Sequence, residues 1–506
     1  MEKALKETKQ NMTGKGATSL LPTVEELRSA LAASENSGTR RLIASLFDDG
    51  TFSELGVYTM RRFSEYTAEE QALSPEGVIC GYGAVDGRLV YVFGQDINRM
   101  DGAVDEKHAN KIADLYDMAC KNGAPMIGVF NSSGADVYEG VTALAAYGRI
   151  MKKVTEASGR IPQIALVTGP CTGTAALLAS MFDFTVTVQG VPFYVHDAGG
   201  TEGNAATATF IAKDEKDAAR DARVLLAYLP SHASENILQT ATSDSLNRML
   251  GKIDYEGDLS RLVRAIADNG ITQEITRNFS PEIFTAFAII GGIRCGVVGN
   301  RFVGEGHKID AAAAKKMARF ISLCDAFSLP ILTFVDSTGF ADMKASGISS
   351  YASDLASLAF AYGSASVPKI SIILGSAIGG AFTVLGSKAL GADVVYALED
   401  AEISVLSSDA AVAFAWNNRV ALESDAKIPD SENLEDTSNL PPITTNRSEL
   451  ETVWRTSHAS PAAAACRGQI DDIITVDEMR QKILSSLFML AGKGVCYTKR
   501  HSILPL

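Results

Sequence analysis

Ile161-Pro162-Gln163-Ile164-Ala165-Leu166-Val167-Thr168-Gly169-Pro170-Cys171-Thr172-Gly173-Thr174-Ala175 is written a second time as Val367-Pro368-Lys369-Ile370-Ser371-Ile372-Ile373-Leu374-Gly375-Ser376-Ala377-Ile378-Gly379-Gly380-Ala381. The offset from Gly173 to Gly379 is 206 residues, without a gap. An upstream pair agrees: Gly123 to Gly134 matches Ser328 to Gly339 at an offset of 205. Each copy reads as an apolar strand, a loop of small residues and a helix. The first N–H groups of a helix have no internal partner and carry partial positive charge. A pair of such donors can hold an oxyanion. The duplication therefore predicts two oxyanion sites in one protein.

Working outward, both halves repeat one order of elements. In the first, the spacing predicts a helix over 107–122 closed by Gly123, a strand over 126–130, a helix over 140–158, a strand over 164–167, a helix over 175–181 and a strand over 184–188. In the second, strands over 295–298, 331–335, 370–374 and 394–397 alternate with helices over 311–326, 351–362 and 381–390. Asp86-Gly87 between two apolar runs predicts a hairpin. Thr23 with Glu26 predicts a helix start, and 42–55 reads as helix, Gly turn and strand. Strand–helix alternation implies right-handed βαβ crossovers, an α/β fold. A period near 205 residues is too long for a solenoid, so this is a duplicated domain. The expected division is 1–265 and 266–506, with a charged helical connector over about 201–270. The polar, Pro-containing stretch Asp425 to Arg447 reads as a surface insertion.

At 506 residues the chain is too long for one core. Its net charge of −14 excludes nucleic acid or an anionic membrane as a bulk partner. Seven scattered cysteines without Cys-x-x-Cys support neither a disulfide framework nor a zinc ribbon, and the reading is a reducing cytoplasm. Two uncharged stretches, 164–182 and 370–387, approach the length of a membrane span. Each is broken mid-way by small loop residues, so each is read as two buried elements rather than a span.

Within the loops, Gly173, Thr174, Gly380 and Ala381 are the candidate oxyanion residues. Gly134-Ala135 and Gly339-Phe340, from the preceding strand ends, are placed to shape the two sites. The six histidines show no ligand spacing, so no metal is expected. There is no phosphate loop and no nucleophile elbow. Glu139 and the pair His196-Asp197 are ambiguous: a base, or an ordinary helix-start charge and turn.

At these residues the chain resembles the carboxyltransferase subunits of biotin-dependent acyl-CoA carboxylases and decarboxylases, of the propionyl-CoA carboxylase β and methylmalonyl-CoA decarboxylase α type. The resemblance runs from about Leu42 to the C-terminus. It is carried by Phe93-Gly94-Gln95-Asp96, Ser132-Ser133-Gly134-Ala135, Pro162-Gln163-Ile164, Cys324-Asp325-Ala326-Phe327, Pro330 to Asp336, Gly379-Gly380-Ala381 and Asp471-Asp472-Ile473-Ile474. It implies two tandem crotonase-type β-β-α superhelix domains, with acyl-CoA on the first and biotin on the second. The implied site lies at a dimer interface within a homo-hexamer, a trimer of dimers. The implied reaction transfers a carboxyl group between carboxybiotin and the α carbon of a coenzyme A thioester, with biotin itself as the base. The amides of Gly173 and Thr174 would hold the thioester oxygen, those of Gly380 and Ala381 the biotin ureido oxygen. Gly379 and Thr383 fall at substrate-binding positions. No Met-Lys-Met signature is present, so biotin would arrive in trans on a biotin carboxyl carrier protein. Other implied partners are a biotin carboxylase or membrane decarboxylase subunits.

The chain departs from the family pattern at four places. Asp136 and Ser350 stand where arginines are expected, Thr174 where a glycine is, and Thr383 where a carboxylate is. Four readings follow: a carboxylase subunit, the α subunit of a Na+-pumping decarboxylase, a crotonase-type hydratase or isomerase, and a catalytically silent assembly subunit.

Overall fold

Asp86 and Gly87 both adopt positive φ, 50° and 75°. They join β2 (Val78–Val85) to β3 (Arg88–Gln95) in the predicted two-residue hairpin, closed by the pair Val85↔Arg88. The computed structural model describes residues 23–32, 37–60, 75–196, 205–235, 241–251, 253, 257–302, 307–342, 351–416 and 447–493. The chain forms two compact units. The first is Met1–Ala157 with Gln163–Ala205 and Ile211–Val224, and the second is Ser158–Pro162, Ala206–Phe210 and Leu225–Leu506.

The first unit is built on an eight-stranded sheet. β1 (Ser53–Leu55), β2 and β3 are antiparallel. β4 (Met126–Ser132), β5 (Gln163–Thr172) and β6 (Phe184–Val188) continue it in parallel. β7 (Phe193–Tyr194) pairs with the far end of β5, and β8 (Phe210–Ala212) lies at the edge. Helices Glu106–Asn122 and Val141–Ala157 make the crossovers. The first ends at Gly123, whose left-handed φ of 61° returns its N–H to the Ala119 carbonyl. Thr23 and Glu26 form the predicted capping box: the Thr23 hydroxyl accepts the Glu26 N–H, and Glu26 accepts the Thr23 N–H at 2.7 Å.

The second unit repeats this. β9 (Thr272–Glu274), β10 (Ile283–Ile290) and β11 (Ile293–Asn300) are antiparallel. β12 (Ile331–Ser337), β13 (Lys369–Ile378), β14 (Val394–Leu398) and β16 (Asp472–Ile474) follow in parallel, with β15 (Glu402–Ser404) on the end of β13. Leu262, Val263 and Ile266 of the helix Leu259–Ile266 and Ile483 and Leu487 of the helix Met479–Leu490 pack with Phe284, Leu332 and Ile372 of the sheet in one buried cluster. The apolar faces of both helices are thus removed from water by this sheet.

Three expectations are corrected. β5 and β13 run to Thr172 and Ile378, past the Gly-Pro and Gly-Ser that seemed to end them at Val167 and Leu374. Each strand absorbs two extra residues in a bulge and then changes partner, β5 to β7 and β13 to β15. The helix expected to reach Leu390 stops at Val384. Gly386 turns there with φ 73°, against Ser371, which donates from its hydroxyl to the Gly386 carbonyl at 2.6 Å. Finally, β10 precedes β11 as the second hairpin, turned by Gly291-Gly292; the sequence carries it as an unbroken apolar run before paired glycines.

The two apolar stretches are strand–loop–helix segments, and among the described residues no helix is long and apolar enough to cross a membrane. The insertion expected over Asp425 to Arg447 lies outside the described residues, apart from Arg447 itself. So do Ser350 and Asp197.

Candidate functional site

Each copy turns its strand end into a loop by the same hydrogen bonds. In the first, the Ser132 hydroxyl donates to the Gly102 carbonyl at 2.7 Å and accepts the Gly134 N–H at 3.0 Å. Val104 donates to the Gly134 carbonyl, and Asp136 donates back to Val104. In the second, the Ser337 hydroxyl accepts the Gly339 N–H at 3.3 Å, Ile309 donates to the Gly339 carbonyl, and Ala341 donates back to Ile309. Isolated bridges Val104↔Ala135 and Ile309↔Phe340 fix the same register in both. The duplication read from side chains thus holds at the level of single backbone bonds. Gly134 and Gly339 carry φ of 117° and 132°, a turn that a β-carbon would strain.

The second loop of each site follows the partner change. In the first copy Cys171 donates to the Pro192 carbonyl at 2.9 Å and Gly173 to the Tyr194 carbonyl at 3.0 Å. Gly173, at φ 59° and ψ −126°, then caps the helix Thr174–Ser180. Leu177 makes its bond to the Gly173 carbonyl at 3.3 Å, so the amides of Thr174, Ala175 and Ala176 open the helix. Of the expected donor pair, Gly173 gives its N–H to the Tyr194 carbonyl, and Thr174 opens the helix together with Ala175. These align at 206 with Gly380 and Ala381, the pair expected in the second copy.

In the second copy Gly379, at φ 64°, begins the helix Gly379–Val384. A β-carbon on Gly380 would stand 2.6 Å from Cε2 of Phe340, so the structure brings the loops Gly339-Phe340 and Gly379-Ala381 together. Ala135 stands where Phe340 stands in the second copy. Around Gly134 and Gly173 an added β-carbon would meet nothing within 4 Å. Gly339, the counterpart of Gly134, likewise meets nothing within 4 Å; the aromatic wall of the second copy stands at Gly380, the counterpart of Thr174. Thr383 is exposed and uncharged, and its carbonyl accepts the Ser387 hydroxyl at 3.0 Å.

The candidate side chains beside these loops are engaged structurally. Glu139 accepts the Glu106 N–H at 2.9 Å, at the start of the helix Glu106–Asn122. Asp136 is buried and accepts the Tyr138 N–H at 3.0 Å, which caps a short turn. Burial pushes the Cys171 thiol up to about 12, so it is not a thiolate nucleophile at neutral pH. Among the described residues no group of three or more His, Cys, Asp or Glu is placed to hold a metal ion. What the sequence could not show is exposure: Val137, Tyr138, Val141 and Leu144 beside the first site, and Val405 and Phe414 after β15, are large apolar residues facing solvent.

The model of the carboxyl transferase domain matches residues 37–209 and 197–504. The chain is 34% identical over 503 residues to the methylmalonyl-CoA decarboxylase subunit alpha of Propionigenium modestum, covering 94% of each chain. It is 33% identical over 499 residues to the carboxyltransferase subunit of propionyl-CoA carboxylase from Haloferax mediterranei, covering 92% of this chain and 93% of that one. Among solved structures it is similar to transcarboxylase 12S, a hexamer crystallised with methylmalonyl-coenzyme A and methylmalonic acid, at a TM-score of 0.83 and 26% identity over 100% of this chain and 98% of that one. The two β-β-α units are of crotonase type, and the chain belongs to the carboxyl transferase family.

Proposed function

We propose that this protein moves a carboxyl group between biotin, borne on a separate carrier protein, and the α carbon of an acyl-CoA. One observation carries the reading. Each unit ends a parallel strand in a bulge, a partner change and a helix-opening pair of amides: Thr174 with Ala175, and Gly380 with Ala381. Removing the α-proton of a thioester places negative charge on its oxygen. Thr174 and Ala175 donate to that oxygen, and fixed donors of this kind are worth about 3–4 kcal/mol each to a transition state. The first cradle, where Ala135 stands in place of Phe340, takes the thioester.

The second cradle suits the biotin ureido group. Gly380 leaves room that a β-carbon would fill, and Phe340 supplies a flat wall beside the Gly380 and Ala381 amides. Biotin supplies the carboxyl group and the base, which agrees with the structural engagement of Glu139 and Asp136. The division of labour is the first unit for acyl-CoA and the second for biotin.

Methylmalonyl- and propionyl-type esters are the proposed acyl class, with Thr383 at the position facing the acyl group. The exposed apolar residues beside both sites support a homo-hexamer. The reaction is placed in the cytoplasm, with a biotin carboxyl carrier protein as partner. The remaining subunit is a biotin carboxylase or, for a decarboxylase, a membrane subunit. The test gives the purified protein free biotin and, in turn, malonyl-, methylmalonyl- and glutaconyl-CoA, and follows loss of the ester carboxyl by mass spectrometry. Carboxyl loss that needs both biotin and one of the esters supports the reading. No loss with any ester from an intact hexamer assigns the chain to the silent-subunit reading instead.

A further inference from the structure

Asp336 and Ser376 meet at the bulge just before the second amide pair. β12 and β13 pair in register from Ile331↔Lys369 to Val335↔Ile373, then resume at Ser337↔Ala377, so β13 carries two extra residues. Beyond it, β13 pairs with β15 through Ser376, Ala377 and Ile378, and Gly379 opens the helix. Asp336 is only 2% exposed. Its Oδ1 accepts the Ser376 N–H at 2.7 Å, a charge-assisted bond inside the protein. A β-carbon on Gly375 would lie 2.6 Å from the same oxygen, so the carboxylate rests directly on the backbone of the bulge.

The first copy has the same bulge with different chemistry. β4 and β5 pair at Phe130↔Val167 and resume at Ser132↔Cys171. Asn131 stands at the place of Asp336, and Pro170 at the place of Ser376. Proline has no N–H to satisfy, and its ring fixes φ. The two copies therefore reach the same turn with different residues: a carboxylate that accepts an N–H in the second, and an asparagine and a proline at the matching positions of the first.

We propose that Asp336 is a positioning residue for the second site: by holding the Ser376 N–H it fixes where β13 leaves the bulge, and so the direction of the Gly380 and Ala381 amides. The catalytic part of this inference rests on the carboxyl-transfer reading above. The coupling itself does not.

The experiment is a double-mutant cycle on the full chain: wild type, Asp336→Asn, Ser376→Pro, and both together, which installs the first copy's pair. Ser376→Pro alone removes the N–H that the buried Asp336 carboxylate accepts, and kcat for transfer to biotin falls ~10- to 100-fold. Binding of coenzyme A itself, held on the first unit, is unchanged. Adding Asp336→Asn recovers most of the loss, because the carboxylate is gone and the proline ring holds the turn. Amide hydrogen exchange over residues 377–385 gives a readout independent of activity: faster exchange in Ser376→Pro, and protection restored in the double variant. No rescue in exchange overturns the inference, whether or not the wild type transfers a carboxyl group. Rescue in exchange without transfer by the wild type upholds the coupling and removes the carboxyl-transfer reading instead. Rescue in exchange with no recovery of kcat overturns the role of Asp336 in catalysis.

Discussion

The Gly173 amide donates to the Tyr194 carbonyl at 3.0 Å, and this bond ties the first loop to β7 just before its helix opens. Gly173 is tied to the strand that β5 adopts after its bulge, and the donors that remain are those of Thr174 and Ala175. On the carboxyl-transfer reading proposed above, the site uses the N–H of Thr174 and not its side chain, so a threonine serves where the family pattern has glycine.

Thr174→Pro therefore removes one donor with little cost to the fold. Position 174 is the first residue of its helix, where proline is well tolerated. The variant should keep its melting temperature within a few degrees and lose ~10²- to 10³-fold in kcat with acyl-CoA. Unchanged kcat removes Thr174 from the oxyanion role.

Gly380→Val places a β-branched side chain against the Phe340 ring, whose Cε2 lies 2.6 Å from the new β-carbon. Transfer should fall ~100-fold or more, as for loss of an oxyanion donor. Because Phe340 is a movable side chain, Phe340→Ala in the same chain should recover part of it. A Gly380→Val variant as active as wild type detaches this loop from the chemistry.

Lys316 gives a pH signature. Its ammonium is buried beneath β10 and donates to the carbonyls of Ser280 and Ile283 at 3.1 and 2.7 Å. Burial lowers its pKa from an ordinary 10.5 to about 8. Between those values the unfolded chain holds a proton that the folded chain has released, so this group adds stability as pH rises from about 8 to 10.5. Chemical denaturation of wild type and Lys316→Met should show the wild type gaining relative to the variant over that window. A constant difference contradicts the shift.

Arg480 is fully buried and pairs with Asp268 at 2.8 Å, while also donating to the Ile266 carbonyl. Asp268 accepts the N–H groups of Gly291 and Gly292, the turn of the second hairpin. Burial raises the Asp268 pKa, but the Arg480 guanidinium and these two amides outweigh it and hold the carboxyl below its usual range. Arg480→Met takes the counter-charge from that buried carboxylate and should cost about 3–5 kcal/mol in urea unfolding of the second unit. A cost under about 1 kcal/mol, typical of an exposed pair, contradicts the buried network.

Much of the fold was legible because local chemistry forces it. Asp86-Gly87 specified its hairpin, Gly123 its helix end, and Thr23 with Glu26 its helix start. The duplication located both loops without any other information. The bulges were not legible. Gly169-Pro170 and Gly375-Ser376 have the composition of strand ends, yet the strands continue past them to pair with β7 and β15. For the same reason the Gly173 amide looked available, since its partner Tyr194 lies beyond a helix and a strand. Asp136 reads in sequence as a lost arginine; in the structure it is a buried turn cap.

The central claim is that the two duplicated amide pairs hold different oxygens in one reaction. The most direct measurement follows labelled carboxyl transfer from methylmalonyl-CoA to free biotin in wild type, Thr174→Pro and Gly380→Val. Alongside it, equilibrium binding of a non-reactive thioether analogue of the ester is read in the same three proteins. The account predicts label on biotin with wild type and a ~100-fold or greater loss in both variants. It also predicts that analogue binding weakens in neither or in Thr174→Pro alone. No label on biotin from intact wild-type protein, or analogue binding lost in Gly380→Val and retained in Thr174→Pro, contradicts it.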